Sequence, residues 1–435
     1  MRISVIGCGY LGAVHAASMA KLGHEVIGFD TDEKKIEQLS HGIPPFFEPD
    51  LQEILTEGIK RGNLRFTGDI SALKDASVHF LAVGTPQSQE SQAADLTYVQ
   101  DAIDELCRYL KPGDLVVGKS TVPVGTAEKL TEAVKPTGAL LAWNPEFLRE
   151  GFAVQDTISP DRIVYGVPAG DAGRKATTML DEVYAQALVE GIPRITTDLA
   201  TAELVKVSAN AFLATKISFI NAIAEITETV GADVITLADA IGLDDRIGRK
   251  FLGAGIGFGG GCLPKDIRAF TARAEELGKS SSVAFLKEID AINLRRRARA
   301  AELTVEALGG QVVGKKISIL GAAFKPNSDD VRDSPALDVA IRLRSLGADV
   351  TVTDPQAIDN AKRSHPHLNY EASIERALVN ANAVLLATEW SEYKNLDPNW
   401  AAEVTSDMVI VDGRNCLDSI RWREAGWRYF GMGKP

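Results

Sequence analysis

The stretch Ile3-Ser4-Val5-Ile6-Gly7-Cys8-Gly9-Tyr10-Leu11-Gly12 decides the fold. It begins with a mostly apolar run that predicts a short strand. The GxGxxG pattern that follows predicts a tight turn into a helix lasting to about Leu22. A second strand is predicted over 25–29 and ends at Asp30. A strand, a helix and a strand within about 30 residues make one unit of a parallel, doubly wound α/β sheet. More strands are predicted at the apolar runs 78–83, 115–118 and 140–142.

The same stretch predicts a dinucleotide site. Glycines at 7, 9 and 12 allow the backbone to approach a pyrophosphate at the helix N-terminus, and Asp30 can accept a hydrogen bond from a ribose hydroxyl. A glycine turn with a purely structural role is the alternative. Asp30 would repel a 2′-phosphate, so NAD is favoured over NADP. The nearby Lys34 and Lys35 weaken this preference. The alternative for both lysines is a helix face that is exposed to solvent. The expected cofactor is NAD.

The middle of the chain changes from strands to helices. The first domain is expected to end near Asp198. From Thr201 to Val230 apolar residues recur at spacings of three and four, which predicts a helix, and a second helix is predicted from about Val283 to Leu308. Between them lies the glycine-rich segment 253–261, followed by CLPKD at 262–266. These patterns predict a helical middle domain that carries one unusual loop.

The last third of the chain repeats the pattern of the first. Ile317–Gly321 resembles Ile3–Gly7, and Leu346–Asp354 resembles Leu22–Asp30. A second α/β domain of nucleotide-binding type is therefore predicted. Its opening turn, AAFKP at 322–326, lacks the GxGxxG pattern. This domain is expected to hold something other than a dinucleotide pyrophosphate.

Length and composition limit the function further. The chain has 435 residues, 45% of them hydrophobic, and a formal net charge of -12. That length predicts two or three domains, and the negative charge argues against nucleic acid or an anionic membrane surface as a partner. The four cysteines are scattered, and the N-terminus runs straight into a predicted strand, so neither a leader nor an apolar run of about 20 residues is expected there. We expect an unexported, soluble, cytoplasmic protein.

Cys262 is the cysteine best placed for chemistry. It follows the glycine run and precedes Lys265 and a possible helix start, which is a setting for a reactive thiolate. Cys8, Cys107 and Cys416 lie in or beside apolar elements, where buried, inert thiols are expected. Taken alone, Cys262 equally fits a structural thiol.

A nicotinamide site combined with a thiolate predicts a particular reaction. NAD alone can oxidise an alcohol to an aldehyde. A thiolate becomes useful when the aldehyde must be oxidised again, because it adds to form a thiohemiacetal, which can lose a second hydride to give a thioester that water cleaves. The pair therefore indicates a four-electron oxidation from alcohol to carboxylate.

Two further regions carry candidate polar groups. Lys206 and Asn210 lie four residues apart on one predicted helix face and can together stabilise an alkoxide or oxyanion. A lysine whose stem packs along a half-buried helix is the alternative. The run NPEFLREG at 144–151 follows a strand end, where α/β folds bind ligands, and its acids Glu146 and Glu150 offer a base and a ligand contact. Surface acids are the alternative.

Two other patterns favour structural interpretations. His365-Pro366-His367 has no further cysteine or histidine nearby, so no metal site is expected. The basic run 295–299 is expected to be the solvent-facing side of the second long helix.

Seven motifs follow one another along the chain. They are GxGxxG at 7–12, GTP at 84–86, STVP at 120–123, NPEFLREG at 144–151, ELVKVSANAF at 203–212, GFGGGCLPKD at 257–266 and AFKPNSDDVR at 323–332. Their order resembles that of the UDP-glucose 6-dehydrogenases, within the nucleotide-sugar 6-dehydrogenase group. The resemblance covers essentially the whole chain, and the cysteine loop with its PKD tail is its most specific part.

The resemblance implies three domains. They are an N-terminal Rossmann NAD-binding domain over 1–198, a central helical dimerisation domain with a long helix and the catalytic cysteine loop over 199–308, and a C-terminal Rossmann-like UDP-sugar-binding domain over 309–435. It implies an NAD-dependent oxidation of the C6 alcohol of UDP-glucose to UDP-glucuronate through a Cys262 thiohemiacetal and thioester, consuming two NAD and one water. A homodimer or higher even homo-oligomer in nucleotide-sugar metabolism and polysaccharide biosynthesis is implied as well.

The resemblance also implies roles for individual residues. Cys262 would be the nucleophile, Lys206 and Asn210 the oxyanion partners, Asp266 and Thr121 the pair that orders a water, and Glu146 an aid to thioester hydrolysis. Which group acts as base in each step stays open. The implied cofactor contacts are Gly7, Gly9, Tyr10, Leu11, Gly12, Asp30, Lys35, Thr85, Thr121, Glu150, Lys265 and Arg332. The implied substrate contacts are Glu146, Phe147, Leu148, Arg149, Glu150, Lys206, Asn210, Arg246, Phe251, Leu252, Gly253, Ala254, Gly255, Gly259 and Lys325, with Arg246 reaching the neighbouring subunit.

One residue departs from the family pattern. The position before the nucleophile is usually serine, and here it is Gly261. Activity is still expected because Cys262, Lys265 and Asp266 are present.

Three alternative functions stay open. GDP-mannose 6-dehydrogenase has the same chemistry, but the stretch 251–258 favours UDP-glucose. A two-electron 3-hydroxyacid dehydrogenase would leave Cys262 and the third domain unexplained. A catalytically dead NAD-binding sensor would be expected to lose Cys262 or Lys206.

Overall fold

The computed structural model describes residues 1–88 and 91–434, and this described chain divides into two compact units. The first unit holds Met1–Ala209 and Ala272–Gly278, and the second holds the remaining described residues. Each unit is built around one mainly parallel sheet.

The sheet of the first unit has the strand order β3-β2-β1-β4-β5-β6-β7-β8. Its strands are β1 (Arg2–Ile6), β2 (Glu25–Phe29), β3 (Leu64–Thr67), β4 (Val78–Leu81), β5 (Leu115–Gly118), β6 (Leu140–Trp143), β7 (Ile163–Gly166) and β8 (Arg194–Thr197). Neighbouring strands run parallel except β6 and β7, which meet antiparallel at Trp143 and Gly166.

The helices of the first unit connect these strands. They are α1 (Tyr10–Lys21), α2 (Glu33–Ser40), α3 (Leu51–Arg61), α4 (Thr97–Leu106), α5 (Thr126–Val134), α6 (Ala153–Ile158), α7 (Asp171–Val183) and α8 (Ala185–Val189), with 3₁₀ turns at Ile70–Asp75 and Lys135–Thr137. Apolar side chains cover both faces of the sheet. Ile3 and Val5 of β1 belong to the cluster that includes Val14 of α1, whereas Ile6 belongs to a cluster with Leu130 of α5. This two-sided burial is what a parallel sheet with crossover helices requires.

The second unit starts within a long helix and ends in a second sheet. Its helical part consists of α9 (Leu199–Val230), whose first residues belong to the first unit, α10 (Val234–Gly242), α11 (Leu263–Glu276), whose last residues belong to the first unit, and α12 (Phe285–Ala307), with a 3₁₀ turn at Ser280–Val283. The sheet part consists of β9 (Lys316–Leu320), α13 (Pro335–Ser345), β10 (Asp349–Thr353), α14 (Ile358–Ser364), β11 (Asn369–Tyr370), α15 (Ile374–Leu378), β12 (Ala383–Leu386), α16 (Ser391–Lys394), α17 (Pro398–Val404), β13 (Val409–Asp412), α18 (Ser419–Glu424) and β14 (Arg428–Gly431).

The two sheets share one topology. The second sheet has the order β11-β10-β9-β12-β13-β14, all parallel, which is the 3-2-1-4-5-6 order of a Rossmann fold. The first six strands of the other sheet follow the same order. The predicted doubly wound α/β class and its repetition at the C-terminal end are therefore confirmed.

The prediction for the basic run 295–299 is wrong at two positions. Arg296 and Arg297 are buried in α12 rather than facing solvent. Arg296 donates to the Gly255 carbonyl at 3.3 Å and pairs with Glu228, and Arg297 donates to the Phe258 carbonyl at 3.0 Å. The two guanidinium groups are tolerated inside the fold because acids and carbonyl oxygens surround them, and they hold the glycine-rich segment.

Of the described helices, α9 is the one that is long and apolar enough to cross a membrane by length and composition. Within the fold, 44% of its most apolar stretch is buried. The Ser218 hydroxyl donates to the Ile289 carbonyl, and the Asn221 side-chain oxygen accepts from the Gly255 N–H. These polar contacts to neighbouring segments are those of a helix inside a protein core.

Candidate active site

The glycines of the turn after β1 leave bare backbone where side chains would clash with neighbouring atoms or occupy the open space beside the turn. A Cβ at Gly12 would lie 1.8 Å from the Gly7 carbonyl oxygen, so α1 approaches the turn as closely as glycine permits. Gly7 has a φ of 87°, in the left-handed region. A Cβ at Gly9 would meet nothing within 4 Å, which leaves that side of the turn open. This close approach of bare backbone to the N-terminus of α1 fits a dinucleotide pyrophosphate.

Asp30, at the end of β2, is fixed in place beside this turn. Its carboxylate accepts hydrogen bonds from the Cys8 N–H at 2.8 Å and the Asp32 N–H at 3.0 Å, and it pairs with Lys35 at 2.8 Å. Asp30 and Lys35 thus lie together beside the glycine-rich turn.

A buried acid that the sequence did not single out ties the turn to the loop 144–151. The Tyr10 hydroxyl donates to the Glu48 carboxylate. The same carboxylate accepts the Gly151 N–H at 2.6 Å and the Ala153 N–H at 2.7 Å, next to buried Glu150. Burial and the Glu48 carboxylate raise the pKa of Tyr10. One side chain thus fixes both the cofactor turn and the start of α6.

The loops after β4 and β5 bring two predicted threonines together. The Thr85 hydroxyl donates to the Thr121 carbonyl at 2.8 Å, and the Ser120 hydroxyl donates to the Val83 carbonyl at 2.6 Å. Because β4 and β5 are adjacent and parallel, their carboxyl ends present these groups at one edge of the sheet.

Glu146 is held by its own loop and by a lysine that the sequence did not reveal. One carboxylate oxygen accepts the N–H groups of Phe147 at 2.6 Å and Leu148 at 2.7 Å. The other pairs with Lys119 at 3.1 Å. Arg149 forms a bidentate pair with Asp156 instead, which leaves most of its side chain exposed.

Lys206 and Asn210 lie on α9 with different neighbours. The Lys206 ammonium is 5.5 Å from the centre of the Phe147 ring. The Asn210 side-chain N–H donates to the Asp266 carboxylate at 2.6 Å. The structure thus joins two pairs of predicted site residues.

The cysteine loop of the second unit places a thiol at a helix start. Cys262 is exposed and immediately precedes α11, and its carbonyl accepts the N–H of Asp266 in the first helical turn. Asp266 is buried and pairs with Lys265 at 3.0 Å. A helix N-terminus and a nearby lysine are a setting that favours thiolate.

The other three cysteines contrast with Cys262. Burial raises the pKa of Cys8, Cys107 and Cys416, and Cys8 is fully enclosed. The expectation that they are buried is borne out for Cys8, whereas Cys107 and Cys416 are only partly buried.

The predicted sugar-nucleotide contacts lie along the loop before Cys262. Leu252 and Ala254 are buried, so they can offer a ligand their backbone rather than their side chains, while Phe251 is exposed and has a φ of 65°. A Cβ at Gly255 would lie 2.5 Å from the Gly413 carbonyl oxygen, and one at Gly259 2.3 Å from the Asp333 carbonyl oxygen. Gly253 is exposed, with open space where a Cβ would be.

Three basic residues of the second unit have defined surroundings. The Lys325 ammonium lies 5.5 Å from the centre of the Phe324 ring. Arg332 pairs with Asp330, and its guanidinium carbon lies 2.3 Å from where a Cβ at Gly261 would be. Arg246 is highly exposed and pairs with Asp244.

Within the described part of the chain, no group of three or more His, Cys, Asp or Glu side chains could hold a metal ion.

Comparisons with known proteins agree with this arrangement. Models of the UDP-glucose/GDP-mannose dehydrogenase family match the NAD binding domain at residues 1–188, the central domain at 200–295 and the UDP binding domain at 318–419. The chain is 40% identical to a UDP-glucose 6-dehydrogenase of Rhizobium meliloti, with all of both chains covered, and 40% identical to UDP-glucose 6-dehydrogenase TuaD of Bacillus subtilis, with 100% of this chain and 93% of that protein covered.

A solved structure is similar along the whole chain. It is that of a UDP-glucose dehydrogenase from Pyrobaculum islandicum, with a TM-score of 0.89, 38% identity, and 100% of this chain and 98% of that chain covered. With three consecutive family domains and full-length relatives at this identity, the protein belongs to the UDP-glucose/GDP-mannose dehydrogenase family.

Proposed function

We propose that this protein is an NAD-dependent UDP-glucose 6-dehydrogenase that converts the C6 alcohol of UDP-glucose to the carboxylate of UDP-glucuronate. The observation that carries the proposal is the exposed Cys262 at the start of α11, next to the Asp266 and Asn210 pair. A two-electron dehydrogenase has no need of such a thiol. The full-length relatives named for this activity support the same substrate.

The cofactor is NAD, and we propose that the turn after β1 holds its pyrophosphate while Asp30 and Lys35 meet the adenosine ribose. Gly7, Gly9, Tyr10, Leu11, Gly12, Thr85, Thr121, Glu150, Lys265 and Arg332 complete the proposed contacts. When bound, NAD accepts hydride from the C6 carbon, once from the alcohol and, as a second NAD, once from the thiohemiacetal.

The residues of the chain stabilise charge, form the covalent bond to the substrate and activate the water during these oxidations. Lys206 and Asn210 stabilise negative charge that develops on the C6 oxygen. The Cys262 thiolate forms a C–S bond to the aldehyde carbon while a proton goes to the aldehyde oxygen, and after oxidation the same sulfur holds a thioester. Asp266 and Thr121 order the water, and Glu146 assists its attack. One alcohol, two NAD and one water thus give one carboxylate, two NADH and three protons.

We propose that the C-terminal domain binds the UDP part of the substrate, with the stretch 251–255, Gly259 and Lys325. One feature of the second sheet supports a ligand other than a dinucleotide. Asp354 occupies the position in β10 that Asp30 occupies in β2, but its carboxylate accepts hydrogen bonds from the Ala322, Ala323, Gln356 and Ala357 N–H groups and from Trp390. This acid is already engaged by its own domain and is poorly suited to a ribose diol. The proposed sugar-side contacts are Glu146, Phe147, Leu148, Arg149, Glu150, Lys206 and Asn210.

We further propose domain limits of 1–198, 199–308 and 309–435, and a soluble, cytoplasmic homodimer or higher even oligomer. An exposed apolar face on α9 supports self-association. Phe212, Phe219 and Ile226 are 66%, 48% and 58% exposed and lie seven residues apart, so they line one side of the helix. A second copy of the same face is the proposed occupant, and Arg246 is the proposed residue that reaches the neighbouring subunit.

The experiment that tests the function counts NADH. The purified protein is mixed with NAD and, in separate reactions, with UDP-glucose, GDP-mannose or UDP-N-acetylmannosamine. We expect two NADH per UDP-glucose consumed, and loss of complete turnover in Cys262→Ser. One NADH per sugar would refute the role of the cysteine, and turnover with GDP-mannose alone would move the protein to the other branch of its family.

A further inference from the structure

Lys119 is a fully enclosed cation at the end of β5. Its ammonium lies 3.1 Å from the Glu146 carboxylate, 3.1 Å from the Asn144 side-chain oxygen and 3.3 Å from the Tyr184 hydroxyl. Three acceptors match its three N–H donors. The strand register explains why Lys119 contacts Asn144. β5 and β6 are adjacent and parallel with Gly118 opposite Trp143, so Lys119 and Asn144, which follow these two residues, lie side by side.

The neighbours of Lys119 are themselves fixed. The Tyr184 hydroxyl donates to the Asn144 side-chain oxygen at 2.5 Å, and the Asn144 amide donates to the Val164 carbonyl at 3.0 Å. Lys119, Asn144 and Tyr184 are all buried. The ammonium therefore has one rigid set of partners, in which Glu146 supplies the carboxylate.

Glu146 differs from the rest of this cluster because 14% of its side chain is exposed. One of its oxygens binds two N–H groups of its own loop and the other faces Lys119. The carboxylate is thus anchored from the protein side while part of it stays open to a water. A lysine that only supported the fold would not need to be joined to the partly open acid of a ligand-binding loop.

Electrostatics keeps Lys119 charged. Burial opposes the charged form of Lys119, but Glu146 and Tyr184 raise its pKa overall, so the ammonium stays charged. Removing this cation would leave the Glu146 carboxylate without its counter-ion and without the contact that fixes its second oxygen.

We propose that Lys119 is a positioning residue that holds the Glu146 carboxylate in the orientation needed for thioester hydrolysis, an inference that rests on the function proposed above. In that step the water oxygen bonds to the acyl carbon, the C–S bond breaks, and its electron pair stays on the Cys262 sulfur. One water proton is accepted by Glu146, and the second leaves the product carboxylic acid for solvent. Only an ionised Glu146 can accept the first proton.

The test compares Lys119→Met with Lys119→Arg and with Lys129→Met, a matched change at an exposed lysine of α5. After mixing with NAD and UDP-glucose, we expect Lys119→Met to release two NADH per active site in a rapid burst and then to turn over at least about tenfold more slowly. Intact-mass measurement should show the sugar nucleotide bound to Cys262. The KM for UDP-glucose should change little, and Lys119→Arg should recover part of the rate.

Other outcomes separate the two proposals. A wild-type protein that makes no NADH from UDP-glucose would refute the proposed function itself. If the wild type makes two NADH, the inference alone fails when Lys119→Met turns over like Lys129→Met or slows without accumulating the acyl-enzyme. If Lys119→Met does not fold, the double variant Lys119→Met with Glu146→Gln removes both charges. This double variant should fold, accumulate the acyl-enzyme and turn over no more slowly than Glu146→Gln alone. If the two substitutions instead reduce the turnover rate additively, the inference is wrong.

Discussion

Gly261 is the residue at which this chain departs from the expected family pattern, and Arg332 packs against it. The Arg332 guanidinium occupies the space that a side chain at 261 would take. The Gly260 N–H donates to the Arg332 carbonyl at 2.9 Å, so the two segments are already joined through their backbones. A side chain at 261 would therefore have to displace the Arg332 guanidinium.

Gly261→Ser should therefore act through Arg332. The new side chain would displace the guanidinium, which is the exposed end of a flexible side chain and can move away. Because Arg332 is a proposed cofactor contact, we expect the KM for NAD to rise by roughly tenfold, which corresponds to about 1.4 kcal/mol, with little change in the KM for UDP-glucose. Steady-state kinetics would measure this. In an Arg332→Ala background the serine should have no further effect, and an equal loss in both backgrounds would contradict the coupling.

The positions of single residues could be predicted from the sequence where a short local motif identifies them. The positions of Gly7, Asp30 and Cys262 follow from short local patterns, and the structure places each of them at the turn, strand end or helix start expected. Lys119 gave no such signal, because its partners Glu146 and Tyr184 lie far away in sequence and meet it only through the register of β5 and β6. Predicting it would have required the sheet order in advance.

At the scale of single elements, α1 contains an unusual buried group. His15 is fully buried, neither ring nitrogen has a hydrogen-bond partner among the described residues, and its ring packs edge-on against Phe80 at 4.4 Å. Burial, followed by the charge of Lys119, lowers its pKa well below the ordinary value of 6.5. The imidazole is therefore neutral in the folded protein.

This lowered pKa makes stability depend on pH in a defined direction. Below pH 6.5 the unfolded chain binds a proton at His15 that the folded chain does not, so stability falls as the pH falls through that range. We expect His15→Leu to remove this dependence and, relative to the wild type, to gain on the order of 1–2 kcal/mol between pH 8 and pH 5. Urea unfolding at the two pH values measures the change. His367→Leu, at an exposed histidine, is the control, and a similar gain there would refute the argument.

Element boundaries were predicted well where apolar runs are flanked by clear turns. β2 and β5 begin and end where the sequence places them, and α9 begins two residues earlier than predicted. The antiparallel entry of β7 was not predicted, because the direction of a strand depends on the path of its connection rather than on its composition. The two-residue β11 is too short to show a period.

At the scale of the whole molecule, one topology serves two purposes. The six-stranded sheet and the first six strands of the other sheet follow the same order, yet the acids that come directly after β2 and β10 have different surroundings. Asp30 is bound by two N–H groups and one lysine, whereas Asp354 is bound by four N–H groups and an indole. The sequence repeat revealed the shared fold, and the changed turn at 322–326 already indicated that the ligand differs.

The exposed face of α9 leads to a prediction about assembly. Phe212, Phe219 and Ile226 would expose large apolar side chains to water in a monomer, and covering them with a second copy removes that apolar surface from solvent. We expect the wild type to sediment as a dimer or a multiple of it. The double variant Phe219→Glu with Ile226→Glu should shift toward the monomer, because four carboxylates would then lie in the paired face.

Analytical ultracentrifugation across a concentration series measures the shift. Ile420→Glu replaces an apolar residue on α18 that is 67% exposed and should leave the sedimenting mass unchanged. A wild type that stays monomeric at every concentration would rule out this face as a self-association surface.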